Sequence, residues 1–333
     1  MRTETDQFWM AHTLRIGERG VGNTAENPAV GCVIVANGKH LVGVGHTAPG
    51  GRPHAETQAL TMAGQGAKGA TAYVTLEPCA HHGKTPPCAT ALIEAGIKRV
   101  VIATKDPDPR VSGKGLAMLK GAGIEVDTGI LEEQARYQLR GFFSRILKNR
   151  PHVILKLAKS TDGKIAAGPG QRTQITGPQF HQHLHLLRVR VDAILVGAGT
   201  VRADNPSLTC RLPGLAERSP QRVIIGGNDT LKIPKPAIHF KGLVDFNESL
   251  CQLAKQGINL LLVEGGAKIA RSLLEADLVD EVILATAPLE IGKKGVEALA
   301  GLDLSHIQAA GRFVCKSCET VGQDVVKHYL RKR

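Results

Sequence analysis

One histidine, one glutamate and two cysteines lie close together in the first third of the chain: His54, Glu56, Cys79 and Cys88. Zinc prefers thiolate and neutral imidazole ligands, and a catalytic zinc keeps three protein ligands and one open position. We therefore expect His54, Cys79 and Cys88 to bind one zinc ion. Glu56 has the residue type of a general base that moves a proton from water to a leaving amine. Zinc deaminases of bases and nucleosides share this signature, so it indicates hydrolytic deamination.

These side chains need particular secondary-structure elements to bring them together. Residues two apart point away from each other in mid-helix, so we predict that His54 and Glu56 lie in the first turn of a helix. Cys79 follows a predicted strand, and Cys88 opens the helix after Pro86-Pro87. The free N–H groups of a helix start stabilise a thiolate there.

Predicted strands and helices alternate through the first half, which is typical of a layered α/β domain with largely parallel later strands. Asn37-Gly38 is a hairpin signal between the first two strands. The predicted strands are 30–35, 41–44, 71–76, 99–103 and 124–126. The predicted helices are 7–20, 57–63, 89–95, 115–120 and 132–147. Asn149-Arg-Pro151 breaks the last helix, so we place the first domain at 1–148.

The alternation restarts after this break and predicts a second α/β domain over 149–333. Its predicted strands are 153–158, 193–196, 222–225, 260–263 and 281–285. Its predicted helices are 178–190, 247–256 and 267–276. The chain therefore has two α/β domains of ordinary size, each large enough for its own core.

Two glycine-rich turns follow predicted strands of the second half, at Gly197-x-Gly199 and at Gly265-Gly266. Glycine lets backbone N–H groups approach phosphates closely. The first turn is not the Rossmann dinucleotide fingerprint, because Arg202 occupies the position of the third glycine. From the residues alone, these turns indicate either an anion-binding domain or plain tight turns.

The composition is that of an ordinary globular protein with a net charge of +12. This charge is spread over both halves, and aromatic residues make up only 3%. An anionic small substrate explains such a balance as well as nucleic acid does. The start has no apolar segment of signal-peptide length, and the seven cysteines have irregular spacing. We expect a cytoplasmic protein without a membrane or nucleic-acid partner.

The spacing of the cysteines narrows the family. Cytidine and tRNA-adenosine deaminases usually have Pro-Cys-x-x-Cys, whereas eight residues separate Cys79 from Cys88 here. Together with the segments Asn27-Pro-Ala-Val-Gly-Cys and Gly51-Arg-Pro-His-Ala-Glu, this pattern resembles the bifunctional deaminase/reductase family of riboflavin biosynthesis over nearly the whole chain. The resemblance implies a cytidine-deaminase-like three-layer domain followed by a dihydrofolate-reductase-like α/β domain.

The resemblance also implies two reactions on one phosphorylated pyrimidine. The first is the zinc-dependent deamination of 2,5-diamino-6-(5-phosphoribosylamino)pyrimidin-4-one. The second is the reduction of the ribosyl chain by NADPH, which gives 5-amino-6-(5-phosphoribitylamino)uracil. For the deaminase, the family pattern implies substrate contacts from Asn27, His81, His82 and Lys84. Homo-oligomers are common among such enzymes, and we expect one here.

For the reductase, the resemblance assigns two sets of residues. The expected substrate-binding residues are Lys156, Arg172, Arg188, Leu208, Arg211 and Glu264. The expected cofactor-binding residues are Ala158, Gln174, Thr200, Asp204, Gly265 and Gly266. The arginine fork suits the 5′-phosphate of the substrate. Gln174 departs from the family pattern, because many relatives have a tryptophan there that packs on the nicotinamide.

Two other functions compete with this interpretation. The net charge favours a deaminase that edits tRNA or another polynucleotide and carries an accessory binding domain, but the cysteine spacing and the few aromatic residues oppose it. A binding protein with a purely structural zinc is the other alternative. A closed structural site needs a fourth ligand, and Glu56 beside an open position opposes that role.

Overall fold

The computed structural model describes residues 2–81, 86–109, 111–171, 173–228, 231, 236–308 and 311–332. The chain forms two compact units, Met1–Asn149 and Arg150–Arg333. Within the described ranges, we find no helix with the length and apolar character that crossing a membrane requires.

The first unit combines six helices and five strands among its described residues. The helices are α1 (Arg2–Gly17), α2 (Ala55–Ala63), α3 (Cys88–Glu94), α4 (Lys114–Gly121), α5 (Glu132–Gln138) and α6 (Arg140–Lys148). The strands are β1 (Gly31–Ala36), β2 (His40–His46), β3 (Thr71–Leu76), β4 (Arg99–Thr104) and β5 (Glu125–Thr128). The sheet has the order β2-β1-β3-β4-β5, with β3, β4 and β5 parallel. The largely parallel later sheet is confirmed.

Helices cover both faces of this sheet. On one face, Ile34, Leu92 and Leu119 belong to a core that α2, α3, α4 and α6 share with the strands. On the other face, Val33 and Met10 belong to a core built with α1 and α5. Successive side chains of a strand point to opposite faces, so the buried residues of β1 contribute alternately to the two cores. The result is a three-layer unit.

Two local features position the start of α2. The hairpin between β1 and β2 turns at Asn37 and Gly38, which both have positive φ (51° and 68°), as the Asn-Gly signal predicts. A Cβ atom at Gly45 would lie 2.1 Å from the carbonyl oxygen of Ala55. Glycine in β2 therefore lets α2 pack directly on the sheet.

The predicted single helix over 132–147 is wrong, because the structure has α5 and α6 with a break at Leu139. The reason is that the two halves pack on opposite faces of the sheet. Ala135 of α5 packs in the core with Met10, whereas Phe142 and Phe143 of α6 pack in the core on the opposite face. One straight helix does not reach both cores.

The second unit contains helices α7 (Pro178–Arg188), α8 (Ala198–Asp204), α9 (Phe246–Lys255), α10 (Ala267–Glu275) and α11 (Ser305–Gln308). Its strands are β6 (His152–Lys159), β7 (Lys164–Ala166), β8 (Ala193–Gly197), β9 (Gln221–Ile225), β10 (Ala237–Phe240), β11 (Leu260–Val263), β12 (Glu281–Thr286), β13 (Val296–Glu297), β14 (Phe313–Val321) and β15 (Asp324–Arg331). The main sheet has the order β10-β9-β8-β11-β6-β12-β15-β14, and β7 pairs with β13.

The five predicted strands of this half are confirmed as β6, β8, β9, β11 and β12, and they run parallel. Their carboxyl ends therefore share one edge of the sheet, where the loops that follow β6, β8 and β11 meet. The hairpin β14–β15 was not predicted. Most residues of β14 are exposed, so its sequence lacks the apolar alternation of a half-buried strand.

A buried ion pair closes the opposite edge of this sheet. Asp280 is only 4% exposed and accepts hydrogen bonds from Arg150 Nη1 (2.5 Å) and Nη2 (2.9 Å) and from the backbone N–H of Val153 (3.0 Å). Burial alone would raise the pKa of Asp280, but Arg150 and His152 outweigh it and hold that pKa below its usual range. The ionised form therefore stabilises the fold.

We expect Asp280→Asn to lower the free energy of unfolding by about 3 kcal/mol at pH 7, because it removes the carboxylate that neutralises the partly buried Arg150. The folded pKa is depressed, so this stabilisation is complete above the unfolded pKa of about 4 and disappears as the pH falls below it. Equilibrium urea unfolding between pH 7 and pH 3 measures both effects. Glu275→Gln is the control, since the Arg271–Glu275 pair is exposed. Equal losses in the two variants would contradict the account.

Candidate functional site

The starts of two helices and the end of one strand bring His54, Cys79 and Cys88 together. His54 is the extended N-cap residue of α2, Cys88 is the first residue of α3, and Cys79 follows β3. The Nδ1 atom of His54 lies 3.3 Å from Cys88 Sγ and 3.8 Å from Cys79 Sγ. All three ligand atoms lie within 4.8 Å of one another, which gives them the arrangement of one metal site.

The spacing and charge of these atoms fit zinc. Zn–S bonds of about 2.3 Å and Zn–N bonds of about 2.0 Å in a tetrahedral site place sulfur and nitrogen about 3.6 Å apart, between the two observed distances. A hydrogen bond from the Cys88 side chain lowers the pKa of Cys79 to about 4, whereas the neighbouring Cys79 raises that of Cys88. Cys79 therefore ionises readily, whereas its charge opposes the ionisation of Cys88, and a divalent cation beside both sulfur atoms would stabilise both thiolates.

Glu56 lies in the first turn of α2 and is 4% exposed. Burial raises the pKa of Glu56 to about 7, and the nearby Cys79 acts in the same direction. A carboxyl group with that pKa gains and loses a proton near neutral pH, which suits a general acid–base catalyst. Its side chain also hydrogen-bonds Cys88, so it reaches the metal-ligand cluster.

Two of the four residues expected to contact the deaminase substrate, Asn27 and His81, are among the described residues and lie near this cluster. A Cβ atom at Gly51 would lie 2.1 Å from Asn27 Nδ2, so glycine lets Asn27 pack against the segment that leads to His54. His81 is exposed. Burial raises the pKa of Asp106 to about 6 and His81 opposes that shift, so the two side chains interact. The remaining predicted contacts lie outside the described residues: His82 and Lys84.

Sequence reasoning missed Glu77, which precedes Pro78-Cys79. Its buried carboxylate accepts four backbone hydrogen bonds of 3.1–3.3 Å, from the N–H groups of Asp106, Gly113, Gly115 and Leu116. These bonds fix the segment that carries Cys79 against the start of α4. The only signal in the sequence was a charged residue directly after a buried strand, which is rarely buried without partners.

In the second unit, the predicted cofactor residues gather at the carboxyl edge of the sheet. Ala158 lies near the end of β6, Thr200 and Asp204 lie on α8 after β8, and Gly265-Gly266 follows β11. A Cβ atom at Gly266 would lie 3.7 Å from Thr200 Oγ1, so the turns after β8 and β11 meet. The free N–H groups at the start of α10 follow directly and suit a phosphate. Gln174 is exposed.

Three predicted substrate residues form one charged cluster. Arg188 Nε and Nη2 donate to the two carboxylate oxygens of Glu264 (2.8 and 3.0 Å). Burial lowers the pKa of Lys156. Burial raises the pKa of Glu264, but Lys156 and Arg188 outweigh it and the net pKa is lowered. Arg188 thus pairs directly with Glu264, and Lys156 interacts with both through their charges. The guanidinium group of Arg188, which we expected at the substrate phosphate, already binds Glu264.

Leu208 and Arg211 lie on the loop after α8. Leu208 is buried and has a positive φ of 56°, which is unusual for leucine. Arg211 is exposed, and its Nη1 donates to Ser207 Oγ (2.8 Å). Arg172, the remaining predicted substrate residue, lies outside the described residues.

Comparisons with known families and proteins agree with this picture. A family model described as the RibD C-terminal domain matches residues 151–327, and one described as the cytidine and deoxycytidylate deaminase zinc-binding region matches residues 3–104. The riboflavin biosynthesis protein RibD of Escherichia coli K12 is 40% identical over 98% of this chain and 99% of its own. RibD of Aquifex aeolicus is 38% identical over 99% and 100%.

Two solved structures extend the similarity to the fold. RibD of Acinetobacter baumannii (form 1) has a TM-score of 0.90 at 36% identity, covering 99% of this chain and 100% of that one. The second is a diaminohydroxyphosphoribosylaminopyrimidine deaminase/5-amino-6-(5-phosphoribosylamino)uracil reductase from Thermotoga maritima. It has a TM-score of 0.87 at 34% identity, covering 100% of both chains.

Fold and site together define a class of protein: a zinc-dependent deaminase domain followed by an NADPH-dependent reductase domain of the dihydrofolate-reductase type. The fold class predicted from the sequence is confirmed. The chain belongs to the RibD family of riboflavin biosynthesis proteins. It is an enzyme with two activities, hydrolytic deamination and reduction, and its cofactors are zinc and NADPH.

We expect Cys88→Ser to lose most of its zinc, because a serine hydroxyl is a far weaker zinc ligand than a thiolate. Metal analysis after dialysis against a weak chelator measures this loss. Cys315→Ser is the matched control: Cys315 is exposed on β14, so that variant keeps one zinc per chain. Full zinc content in Cys88→Ser, or an equal loss in the control, would place the metal elsewhere.

Proposed function

We propose that His54, Cys79 and Cys88 hold the zinc ion of the deaminase and that Glu56 is its catalytic acid–base residue. Zinc, when bound, activates water for attack on the ring carbon. Glu56 carries a proton from that water to the leaving amine. The observation that carries this proposal is the buried carboxyl group of Glu56, which hydrogen-bonds Cys88 beside the three ligand atoms.

The substrate that this site suits best is 2,5-diamino-6-(5-phosphoribosylamino)pyrimidin-4-one, which loses its ring amine as ammonia. Asn27 and His81 support binding of the pyrimidine, since both lie on segments that adjoin the metal ligands. His82 and Lys84 follow His81 in the sequence and carry the same proposed role. The long spacing between the cysteines supplies these residues.

The second unit reduces the ribosyl chain of the deaminated product to a ribityl chain. NADPH supplies the hydride when bound. The residues that would hold the cofactor are Ala158, Thr200, Asp204, Gln174 and the Gly265-Gly266 turn. Gln174 lacks the aromatic face of the tryptophan that many relatives have there.

The opening sugar needs polar partners, and Lys156 and Glu264, whose charges influence each other's pKa, would orient its hydroxyl groups and exchange a proton with them. Arg211 is exposed and suited to the 5′-phosphate, with Arg172, Arg188 and Leu208 completing the substrate pocket.

The proposal also covers the domain bounds, the oligomeric state and the cellular location. The deaminase domain comprises 1–148 and the reductase domain 149–333, close to the two compact units. We propose a cytoplasmic homo-oligomer that binds neither nucleic acid nor a membrane. The spread of the positive charge and the small-molecule chemistry of both sites support this placement.

We expect Glu56→Gln to keep its zinc but to lower the deamination rate by a factor of about 10² to 10⁴, because the proton carrier is lost and the shape is retained. Ammonia release from the diaminopyrimidine substrate measures the rate. Reduction of the deaminated product by NADPH should be unchanged in the same variant. Glu94→Gln, on the exposed side of α3, is the control. Normal deamination by Glu56→Gln would refute the assigned role.

We expect Lys156→Met to lower NADPH-dependent reduction by a factor of about 10², because the site loses the ammonium charge that acts on Glu264. NADPH oxidation with the deaminated ribosyl substrate measures this effect. The deamination rate should stay at the level of the unmodified protein. Lys255→Met, at an exposed site on α9, is the control. Unchanged NADPH oxidation by Lys156→Met would remove Lys156 from the mechanism.

A further inference from the structure

Helix α7 contacts the loop at 207–211 through two side chains. Arg188 Nη1 donates to the carbonyl oxygen of Thr209 (3.0 Å), and His185 Nδ1 accepts from the backbone N–H of Arg211 (3.3 Å). Arg188 and His185 are three residues apart, so they lie on the same face of α7. One donor and one acceptor of the helix thus hold two backbone groups of a three-residue segment.

Backbone strain lies directly before the segment 209–211 that these side chains hold. Leu208 has a φ of +56° and a buried side chain, and Asn205 has a φ of +39°. Leucine rarely adopts the left-handed region, and such conformations persist only where the surroundings hold them. The contacts from α7 supply that restraint at the residues directly after Leu208.

The hydrogen bond also fixes the state of the imidazole. Nδ1 accepts a hydrogen only when it carries none itself, so His185 is neutral with its proton on Nε2. Burial lowers the pKa of His185, and Arg188 and Arg211 lower it further, whereas Glu264 and a hydrogen bond to the backbone of Thr209 oppose them without reversing the direction. His185 therefore acts through its acceptor atom and not as a further cation.

We propose that His185 is a positioning residue of the reductase. It holds the backbone of Arg211 so that the guanidinium group of Arg211 meets the phosphate of the substrate. This inference rests on the proposed role of Arg211 at that phosphate. Sequence reasoning passed over His185 because it is one of three histidines at alternate positions of α7, and the pattern does not indicate which one contacts the loop.

The test separates the acceptor from the bulk of the side chain. His185→Ala removes the acceptor and favours helix, whereas His185→Asn places a carbonyl oxygen near the position of Nδ1. We expect His185→Ala to raise the KM for the deaminated ribosyl phosphate about tenfold, with the KM for NADPH and the deamination rate unchanged. His185→Asn should recover most of this loss. His183→Ala is the control, since His183 lies on the same helix but its ring stacks on Phe180 rather than on the loop at 207–211.

A second measurement does not depend on activity. Hydrogen exchange at the backbone amide of Arg211 in the full-length protein should be faster in His185→Ala than in His185→Asn or in the unmodified chain. Equal exchange and an equal KM in all three would overturn the inference, and so would a loss that His185→Asn does not recover. His185→Leu replaces His185→Ala if the smaller side chain prevents folding.

Arg211→Met separates this inference from the function on which it rests. If Arg211→Met leaves the substrate KM unchanged, the proposed role of Arg211 at the phosphate is wrong, and the inference about His185 is wrong with it. If Arg211→Met raises the KM and His185→Ala does not, only the role of His185 is wrong. A rise in both supports the two assignments together.

Discussion

The deaminase unit is built around one electrostatic constraint: the carboxyl group of Glu56 and the thiols of Cys79 and Cys88 lie close together, and Glu56 and Cys88 are buried. Burial raises the pKa of Glu56 to about 7, and the neighbouring Cys79 raises the pKa of Cys88. Buried charges of one sign need a cation beside them. The starts of α2 and α3 and the backbone hydrogen bonds of Glu77 keep these groups within reach of a single cation.

Much of the fold could be predicted from the sequence, because local signals and burial agree in most elements. The hairpin at Asn37-Gly38 and the buried parallel strands of both units are examples. The break at Leu139 could not be predicted, since each half of that segment is amphipathic and only the sheet decides which face each half covers. Strand β14 was not predicted for a different reason: most of its residues are exposed, so its sequence has no alternation of apolar and polar side chains.

The two sites differ in how far the sequence predicts them. Few residue types bind zinc, so residue type and spacing together were enough to predict His54, Cys79 and Cys88 as its ligands. Glu77 and His185 act on backbone N–H groups of distant residues, and any residue type supplies those groups. The sequence therefore contains no complementary side chain that would reveal them. Arg188 was expected at the substrate, and its ion pair with Glu264 adds a structural role that depends on tertiary contact.

X-ray absorption at the zinc edge of the purified protein tests the central claim most directly, because it counts the atoms bound to the metal. The account predicts two sulfur ligands at about 2.3 Å and one imidazole nitrogen at about 2.0 Å, with one further light atom. Four sulfur ligands, or a shell of nitrogen and oxygen alone, would contradict a site built from His54, Cys79 and Cys88.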